Sequence, residues 1–239
     1  MTTRRTFHAS RRIRVGDCAS DAIVRVDALA RYLQDVGYDD TEDIGVGDGG
    51  LWVARSISMS FPNISLWPMR NEMIDLETYC GGIGRAFAQR NVIITTENGS
   101  RIDTSTVWVC VSEEGKPMRV PEWLTRAYPD AEKISASRTL SVHEPQDAQT
   151  APDLTESVWH LRASDFDIND HANNAVAYDA LYDVAQKVNA LPPSSILVEY
   201  HQPVTSRDAV RLIWKMRPDG FDAWLASDDA VAAAMRWTY

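Results

Sequence analysis

The sequence predicts an α+β fold in which one unit, a helix followed by an antiparallel sheet, occurs twice. Each half of the chain has a segment whose apolar residues recur at helical spacing, and several segments after it alternate apolar and polar residues. A polar stretch over 131–153 separates the halves and is interpreted as a linker. We therefore expect an N-terminal module over 1–130 and a C-terminal module over 154–239.

The first half supports this fold element by element. A strand is expected over 12–15, and a helix over 27–36, where apolar residues fall on one face. Four glycines between positions 45 and 50 then predict a break. Asn98-Gly99 is a strong hairpin signal between the last two strands. The strands of this half are predicted over 51–61, 73–79, 85–95 and 101–111.

The second half restarts the same order. Ile13–Gly37 aligns without a gap on Leu161–Ala185, with five identities in 25 positions, and strand, loop and helix agree in phase. A duplicated unit is the simplest explanation of this agreement. The predicted elements are a strand over 158–162, a helix over 173–188, and strands over 196–200, 209–216, 223–226 and 231–239.

Charge and cysteine content disfavour several classes of protein. A formal charge of −10 argues against a nucleic-acid partner. Cys18, Cys80 and Cys110 are far apart and odd in number, which argues against a disulfide framework or a structural zinc site and favours a reducing compartment. No signal peptide or membrane-spanning stretch is apparent. We therefore expect a cytoplasmic protein that does not insert into membranes.

A cluster of acids, amides and one imidazole lies just before the second helix. Its spacing opens like a calcium-binding EF-hand loop, but the sixth position is Asp170 instead of Gly and the twelfth is Val176 instead of Glu. A zinc or iron site would need a distant histidine such as His201 to join the cluster. Asn173 and Asn174 can also be explained as helix caps.

A catalytic interpretation fits the same cluster. Asp167, Asn169 and His171 stand at alternate positions, so in an extended loop they would face one side. An amide can donate toward a developing oxyanion, and an acid or imidazole can hold and deprotonate a water. This combination is suited to the hydrolysis of an acyl group.

The segment Asp-x-Asn-x-His-x-Asn-Asn at 167–174, followed by Tyr178, closely resembles the signature of the acyl-carrier-protein (ACP) thioesterases of plants and bacteria. The resemblance extends along most of the chain. Further matches are Leu51-Trp52-Val53, the trio Arg85, Phe87 and Arg90, Trp108-Val109, and Pro117-Met118-Arg119-Val120-Pro121.

This resemblance implies a double hotdog fold, with two tandem modules that each pack a long helix in an antiparallel sheet. It implies that the first module accommodates the acyl chain and that the second supplies most catalytic groups. Asn169 would polarise the thioester, His171 would orient water or assist proton transfer, and Asp167 would act as base or tune its neighbours. The substrate would be a fatty acyl-ACP or acyl-CoA thioester, and the reaction would need no cofactor. The two modules could pair within a monomer as an internal pseudo-dimer, or the chain could form a homodimer.

One position departs from the family. Members commonly carry a catalytic Glu or Cys a few residues after a Glu-Tyr pair, where this chain has Pro203 and Val204. Glu199 or Gln202 could substitute, Asp167 could act alone, or the chain could be an acyl-binding protein without catalysis. The remaining supporting candidates are Asn173, Asn174, His201 and Trp52, although burial in the core is the simpler explanation of a large aromatic residue. An arginine-rich N-terminal arm over 4–14 is interpreted as solvated, with contact to an acidic carrier protein as the alternative.

Overall fold

In the computed structural model, residues 4–45, 50–135, 142, 154–227 and 230–239 are described. The chain divides into two compact units, Met1–Arg138 and Thr139–Tyr239. The predicted linker over 131–153 lies mostly outside the described residues.

The first unit combines a long helix with an antiparallel sheet in the order β1-β3-β4-β5-β2. A short strand, β6, adds in parallel to the end of β3. Its elements are β1 (Phe7–Arg12), α1 (Val26–Ile44), β2 (Leu51–Ser60), β3 (Met73–Ile83), β4 (Phe87–Thr96), β5 (Arg101–Val111), α2 (Glu122–Ala127) and β6 (Glu132–Lys133).

The apolar face of α1 forms the centre of this unit. Leu29, Leu33 and Val36 recur at helical spacing and are buried, and α1 lies on β1 and β3. The second half of α1 is stabilised by ion pairs. The buried carboxylate of Asp40 accepts hydrogen bonds from Arg5 at 3.0 Å and from Arg90 at 2.5 Å. These contacts explain why the helix continues eight residues beyond the predicted end at Val36.

The second unit repeats the same arrangement. Its sheet has the order β7-β9-β10-β11-β8, which corresponds strand by strand to the order in the first unit. The duplication predicted from the sequence is therefore confirmed in the topology. Its elements are β7 (Thr155–Trp159), α3 (Ala175–Lys187), β8 (Ser195–Tyr200), β9 (Val210–Arg217), β10 (Gly220–Ser227) and β11 (Ala230–Thr238).

Side chains on both faces of β10 and β11 are buried. α3 lies on these two strands, and Val142 packs with Ile213, Trp224 and Ala234 in a separate apolar cluster. Because this sheet is covered on two faces, the run Ala232-Ala233-Ala234 is buried although its strand propensity is weak.

Most predicted strands agree with the structure, but the first strand of each unit begins earlier than expected. The chain leaves each of these strands before a short 3-10 turn, Val15–Asp17 in the first unit and Ala163–Asp165 in the second. In each turn an aspartate accepts a backbone N–H from the residue three positions before it. The predicted strands over 12–15 and 158–162 were therefore placed too late, because this side-chain cap competes with strand pairing. The short helix α2 was not predicted.

Candidate active site

The cluster identified in the sequence forms a tight hairpin in the second unit. Phe166 and Ala172 pair as an antiparallel bridge, and the N–H of Asp167 donates to the carbonyl of His171 at 2.8 Å. The N–H of Asp170 donates back to the carbonyl of Asp167 at 3.1 Å, and Asp170 has a positive φ of 57°. This is a three-residue loop whose last residue adopts the left-handed conformation. We call residues 167–171 the catalytic hairpin, after the catalytic roles that the sequence predicts for Asp167, Asn169 and His171.

The carboxylate of Asp167 stabilises this hairpin from inside. Its Oδ1 atom accepts hydrogen bonds from the N–H of Asn169 at 2.8 Å and from the N–H of His171 at 3.1 Å. An acid at the first position of a turn commonly makes such bonds. Among the described residues, no group donates to its other oxygen, Oδ2. The two backbone N–H groups are consequently occupied and cannot also serve an oxyanion.

The side chains of Asn169 and His171 are exposed to solvent. Within the described parts of the chain, neither the amide of Asn169 nor the imidazole of His171 makes a hydrogen bond. Both therefore retain their full donor and acceptor capacity for a ligand or water. Between Asp167 and Asn169, the side chain of Ile168 is completely exposed.

Asn173 acts as the cap of α3. Its side-chain oxygen accepts the N–H of Ala175 at 2.9 Å and its carbonyl accepts the N–H of Val176 at 2.9 Å. These bonds use donors that would otherwise be free at the helix start. The carbonyl of Asn174 accepts the hydroxyl of Tyr200 at 2.8 Å. Burial raises the pKa of Tyr200 far above its ordinary value, so this hydroxyl stays protonated and remains a donor.

The segment after β8 lies beside the catalytic hairpin. The N–H of Ala172 donates to the carbonyl of Val204 at 2.7 Å, and His171 pairs with Thr205 as an antiparallel bridge. The hydroxyl of Ser206 donates to the carboxylate of Asp170 at 3.1 Å. The backbone where the family's Glu or Cys is expected therefore reaches the hairpin.

The other predicted residues take different places. The carboxylate of Glu199 is buried and accepts the N–H of Val142 at 2.9 Å. Because side chains alternate along a strand, Glu199 lies on the opposite face of β8 from Tyr200, which reaches Asn174. The N–H of His201 donates to the carbonyl of Ala232 at 2.8 Å. Trp52 belongs to the first unit and packs in an apolar cluster that contains Cys80, Ala88, Leu124 and Tyr128.

The first unit contains a second hairpin with the same backbone, which we call the first hairpin (residues 19–23). Cys18 and Val24 form its bridge, and the N–H of Ala19 donates to the carbonyl of Ile23 at 2.8 Å. Ala22 has a φ of 68°, like Asp170 at the corresponding position. The side chains differ throughout: the first hairpin reads Ala19-Ser20-Asp21-Ala22-Ile23.

In the first hairpin, a different side chain accepts the backbone N–H group of the loop. The side chain of Asp21 accepts the N–H of Ile23 at 3.0 Å. The position that Asp167 fills in the second unit is taken here by Ala19. An acid at that position is therefore not required for the hairpin to form. Among the described residues, no group of three or more His, Cys, Asp or Glu side chains could hold a metal ion.

Two family models match the chain. The acyl-ACP thioesterase N-terminal domain matches residues 4–128, and the acyl-ACP thioesterase C-terminal domain matches residues 148–231. The chain belongs to the acyl-ACP thioesterase family. It is accordingly a thioester hydrolase, and the activity that the family supports is hydrolysis of fatty acyl-ACP thioesters to a free fatty acid and the carrier thiol.

Solved structures confirm the predicted double hotdog fold. The 12:0-ACP thioesterase from Umbellularia californica superposes with a TM-score of 0.81 at 16% identity, covering 98% of this chain and 96% of that one. A Lactobacillus plantarum protein provisionally named an oleoyl thioesterase gives a TM-score of 0.84 at 18% identity, covering 98% of this chain and 96% of that one. An uncharacterized protein of Mycobacterium tuberculosis strain H37Rv is 23% identical over 222 residues, 89% of this chain and 84% of that protein. In the described parts of the chain, no helix has the length and apolar character needed to span a membrane.

Proposed function

We propose that this chain hydrolyses fatty acyl-ACP thioesters at the catalytic hairpin. The observation that carries the proposal is the contrast between two hairpins of equal backbone geometry. The hairpin of the second unit presents an amide and an imidazole to solvent, whereas the first hairpin has an acid and an apolar side chain at the same positions. Polar groups that the fold does not require are good candidates for chemistry.

Asn169 is the group best suited to polarise the thioester. Its amide donates to the carbonyl oxygen, where negative charge develops as water adds. Because the backbone N–H groups of Asn169 and His171 are occupied and the imidazole of His171 is assigned to the water, the side-chain amide of Asn169 is the donor assigned to the carbonyl oxygen. Preformed donors of this kind commonly contribute about 100- to 1000-fold to kcat.

Water activation falls to His171 and Asp167. The imidazole takes a proton from the water as its oxygen bonds to the carbonyl carbon, and it returns that proton to the thiolate when the carbon–sulfur bond breaks. Asp167 holds the hairpin through Oδ1, and its Oδ2 oxygen is available to accept the second hydrogen of the same water. Glu199 takes no part in this scheme because its carboxylate binds Val142 on the opposite face of β8.

The proposal also covers the carrier of the acyl group, the oligomeric state and the cellular compartment. An ACP is the expected carrier and CoA is the alternative. The protein acts without a cofactor, as a monomer with an internal pseudo-dimer or as a homodimer. A reducing cytoplasm is supported by Cys18, Cys80 and Cys110, which are all free thiols.

The deciding experiment is a hydrolysis screen over acyl chain length on ACP and on CoA, with an Asp167→Ala variant beside the wild type. We expect thiol release from at least one acyl-ACP and a large loss in the variant. Unchanged turnover in the variant would contradict the assigned centre. A wild-type protein that binds acyl carriers without releasing thiol would instead support the non-catalytic alternative, which the Pro203-Val204 departure motivates.

A further inference from the structure

The catalytic hairpin also indicates where the carrier protein docks, an inference that rests on the proposed function. A thioester carbonyl that binds the amide of Asn169 lies at the catalytic hairpin, where Ile168 is the preceding residue. A carrier that delivers the acyl group therefore approaches the exposed surface of this hairpin. Ile168 is completely exposed in the structure.

The backbone of the hairpin does not require an apolar residue there. Ser20 occupies the corresponding position of the first hairpin, and the bridge, the closing hydrogen bonds and the positive φ are all preserved. An exposed apolar side chain gains free energy only when a partner covers it. Burial of Ile168 against a bound partner would therefore stabilise the complex.

Arg207 gives an independent observation in the next loop. Described residues of the second unit include seven arginines and lysines, and Arg207 alone among them makes no ion pair or hydrogen bond with the described chain. The other six are all engaged: Arg162, Lys187, Arg211, Lys215, Arg217 and Arg236.

A hydrogen bond joins the two loops. The hydroxyl of Ser206, the neighbour of Arg207, donates to Asp170 in the catalytic hairpin at 3.1 Å. Asp170 accepts the hydroxyl of Ser206 and Asp208 accepts the N–H of Thr205 at 2.6 Å, and neither carboxylate pairs with Arg207 in the described chain. The charge of Arg207 is therefore available to an outside partner.

The first unit offers neither feature at the same places. There, Glu72 accepts the N–H of Met69 at 2.9 Å, as Asp208 does for Thr205, which aligns Arg207 with Asn71. The pair Ile168 and Arg207 thus corresponds to Ser20 and Asn71, two uncharged polar residues. Exposed Met69 and Arg70 also lie beside the first hairpin, so the two units differ at these aligned positions and not in the presence of an exposed cation.

We propose that Ile168 and Arg207, the carrier patch, contact the acidic surface of the acyl carrier protein. The cation meets a carboxylate of the carrier, and the isoleucine is covered at the point where the acyl-bearing arm enters. Within the arginine-rich arm, the charges of Arg5 and Arg11 are already engaged, because Arg5 pairs with Asp40 and Asp43 and Arg11 pairs with Asp39.

The test measures binding without turnover. The full chain is titrated with an ACP whose acyl group is attached through a non-hydrolysable amide, and Kd is determined by fluorescence anisotropy. We expect Ile168→Ser to raise Kd about tenfold at all salt concentrations, because burial of an isoleucine is lost. Arg207→Gln should raise Kd up to about fivefold in low salt, with the difference vanishing near 0.5 M salt as screening increases.

Two matched variants serve as controls. Leu191→Ser removes another exposed apolar side chain of the second unit, and Arg70→Gln removes an exposed arginine of the first unit. Both should bind the carrier like the wild type. Hydrolysis of acyl-ACP should also fall at least fivefold more than hydrolysis of acyl-pantetheine in both patch variants.

Carrier affinity within twofold of wild type in both patch variants would overturn the proposal, as would a wild-type protein that does not bind the carrier. An equal effect of Arg207→Gln on acyl-CoA would assign Arg207 to the phosphate of the arm and also contradict it. A protein that binds the carrier through the patch but releases no thiol would refute the proposed hydrolysis alone.

Discussion

The catalytic hairpin and the first hairpin have one backbone and two different sets of side chains. Both close through the same bridge and hydrogen bonds, and both place a non-glycine residue at a positive φ. The comparison teaches that the backbone of the hairpin does not depend on the side chains proposed as catalytic. Because Ala19 fills the place of Asp167 without loss of the hairpin, substitutions in the catalytic hairpin should change activity more than stability.

The largest expected effect is the loss of His171. His171→Ala should lower kcat for acyl-ACP hydrolysis by about 100- to 10,000-fold, because the group that moves the proton is removed. Its melting temperature should stay close to that of the wild type, since the imidazole is exposed. A matching loss of melting temperature would mean that the two hairpins are not equivalent frameworks.

The second effect concerns stability and belongs to the first unit. Burial alone would raise the pKa of Asp27, but its contacts with Arg25 and Arg31 outweigh burial and hold that pKa below its ordinary value. Asp27→Asn should cost about 3 kcal/mol in the free energy of unfolding at neutral pH. The second unit has Ala175 at this position, so no equivalent charge cluster exists there.

The sign of the pH dependence of this stabilisation follows from the lowered pKa of Asp27. The stabilisation by Asp27 is complete above pH about 4, the unfolded pKa, and is lost as the pH falls through the folded pKa. Urea unfolding of wild type and variant at several pH values should give curves that converge in acid. A constant difference from pH 7 to pH 3 would contradict the ion-pair explanation.

A smaller effect separates the two 3-10 turns. Asp165→Ala should cost about 1–2 kcal/mol, because it leaves the N–H of Arg162 without its 2.8 Å bond. Asp17→Ala should cost about 1 kcal/mol more, since Asp17 also accepts the hydroxyl of Tyr32 at 2.7 Å. The extra partner of Asp165 is the exposed guanidinium of Arg162 at 3.0 Å, and an exposed ion pair contributes little. Chemical denaturation of both variants measures the difference, and a larger loss for Asp165→Ala would reverse the comparison.

The smallest expected change in stability is that of Asp167→Asn. The amide oxygen can still accept the N–H groups of Asn169 and His171, so the free energy of unfolding should change by less than about 0.5 kcal/mol. Activity should fall nevertheless, because the charge beside the water is removed. A variant that is both fully active and fully stable would limit Asp167 to its capping role.

The sequence was sufficient to predict the duplicated fold, and it singled out the segment that forms the candidate site. Alternation and helical spacing report which residues face a core, and these patterns survive in both halves. Contacts between distant segments were not predictable. One example is the set of ion pairs that extends α1, in which arginines pair with Asp39, Asp40 and Asp43. These pairs depend on the packing of β1 and β4 near the helix. Likewise, the sequence left Glu199 as a possible catalytic acid, because nothing local reveals that Val142 covers its face of β8.

The central claim is that the side chains of the catalytic hairpin, and not its backbone, make the chain a hydrolase. The most direct test compares Asn169→Ala with Asp21→Ala, the corresponding substitution in the first hairpin, by single-turnover hydrolysis of acyl-ACP. We predict that Asn169→Ala slows thioester cleavage about 100- to 1000-fold, whereas Asp21→Ala cleaves at the wild-type rate. Equal rates in the two variants would contradict the claim.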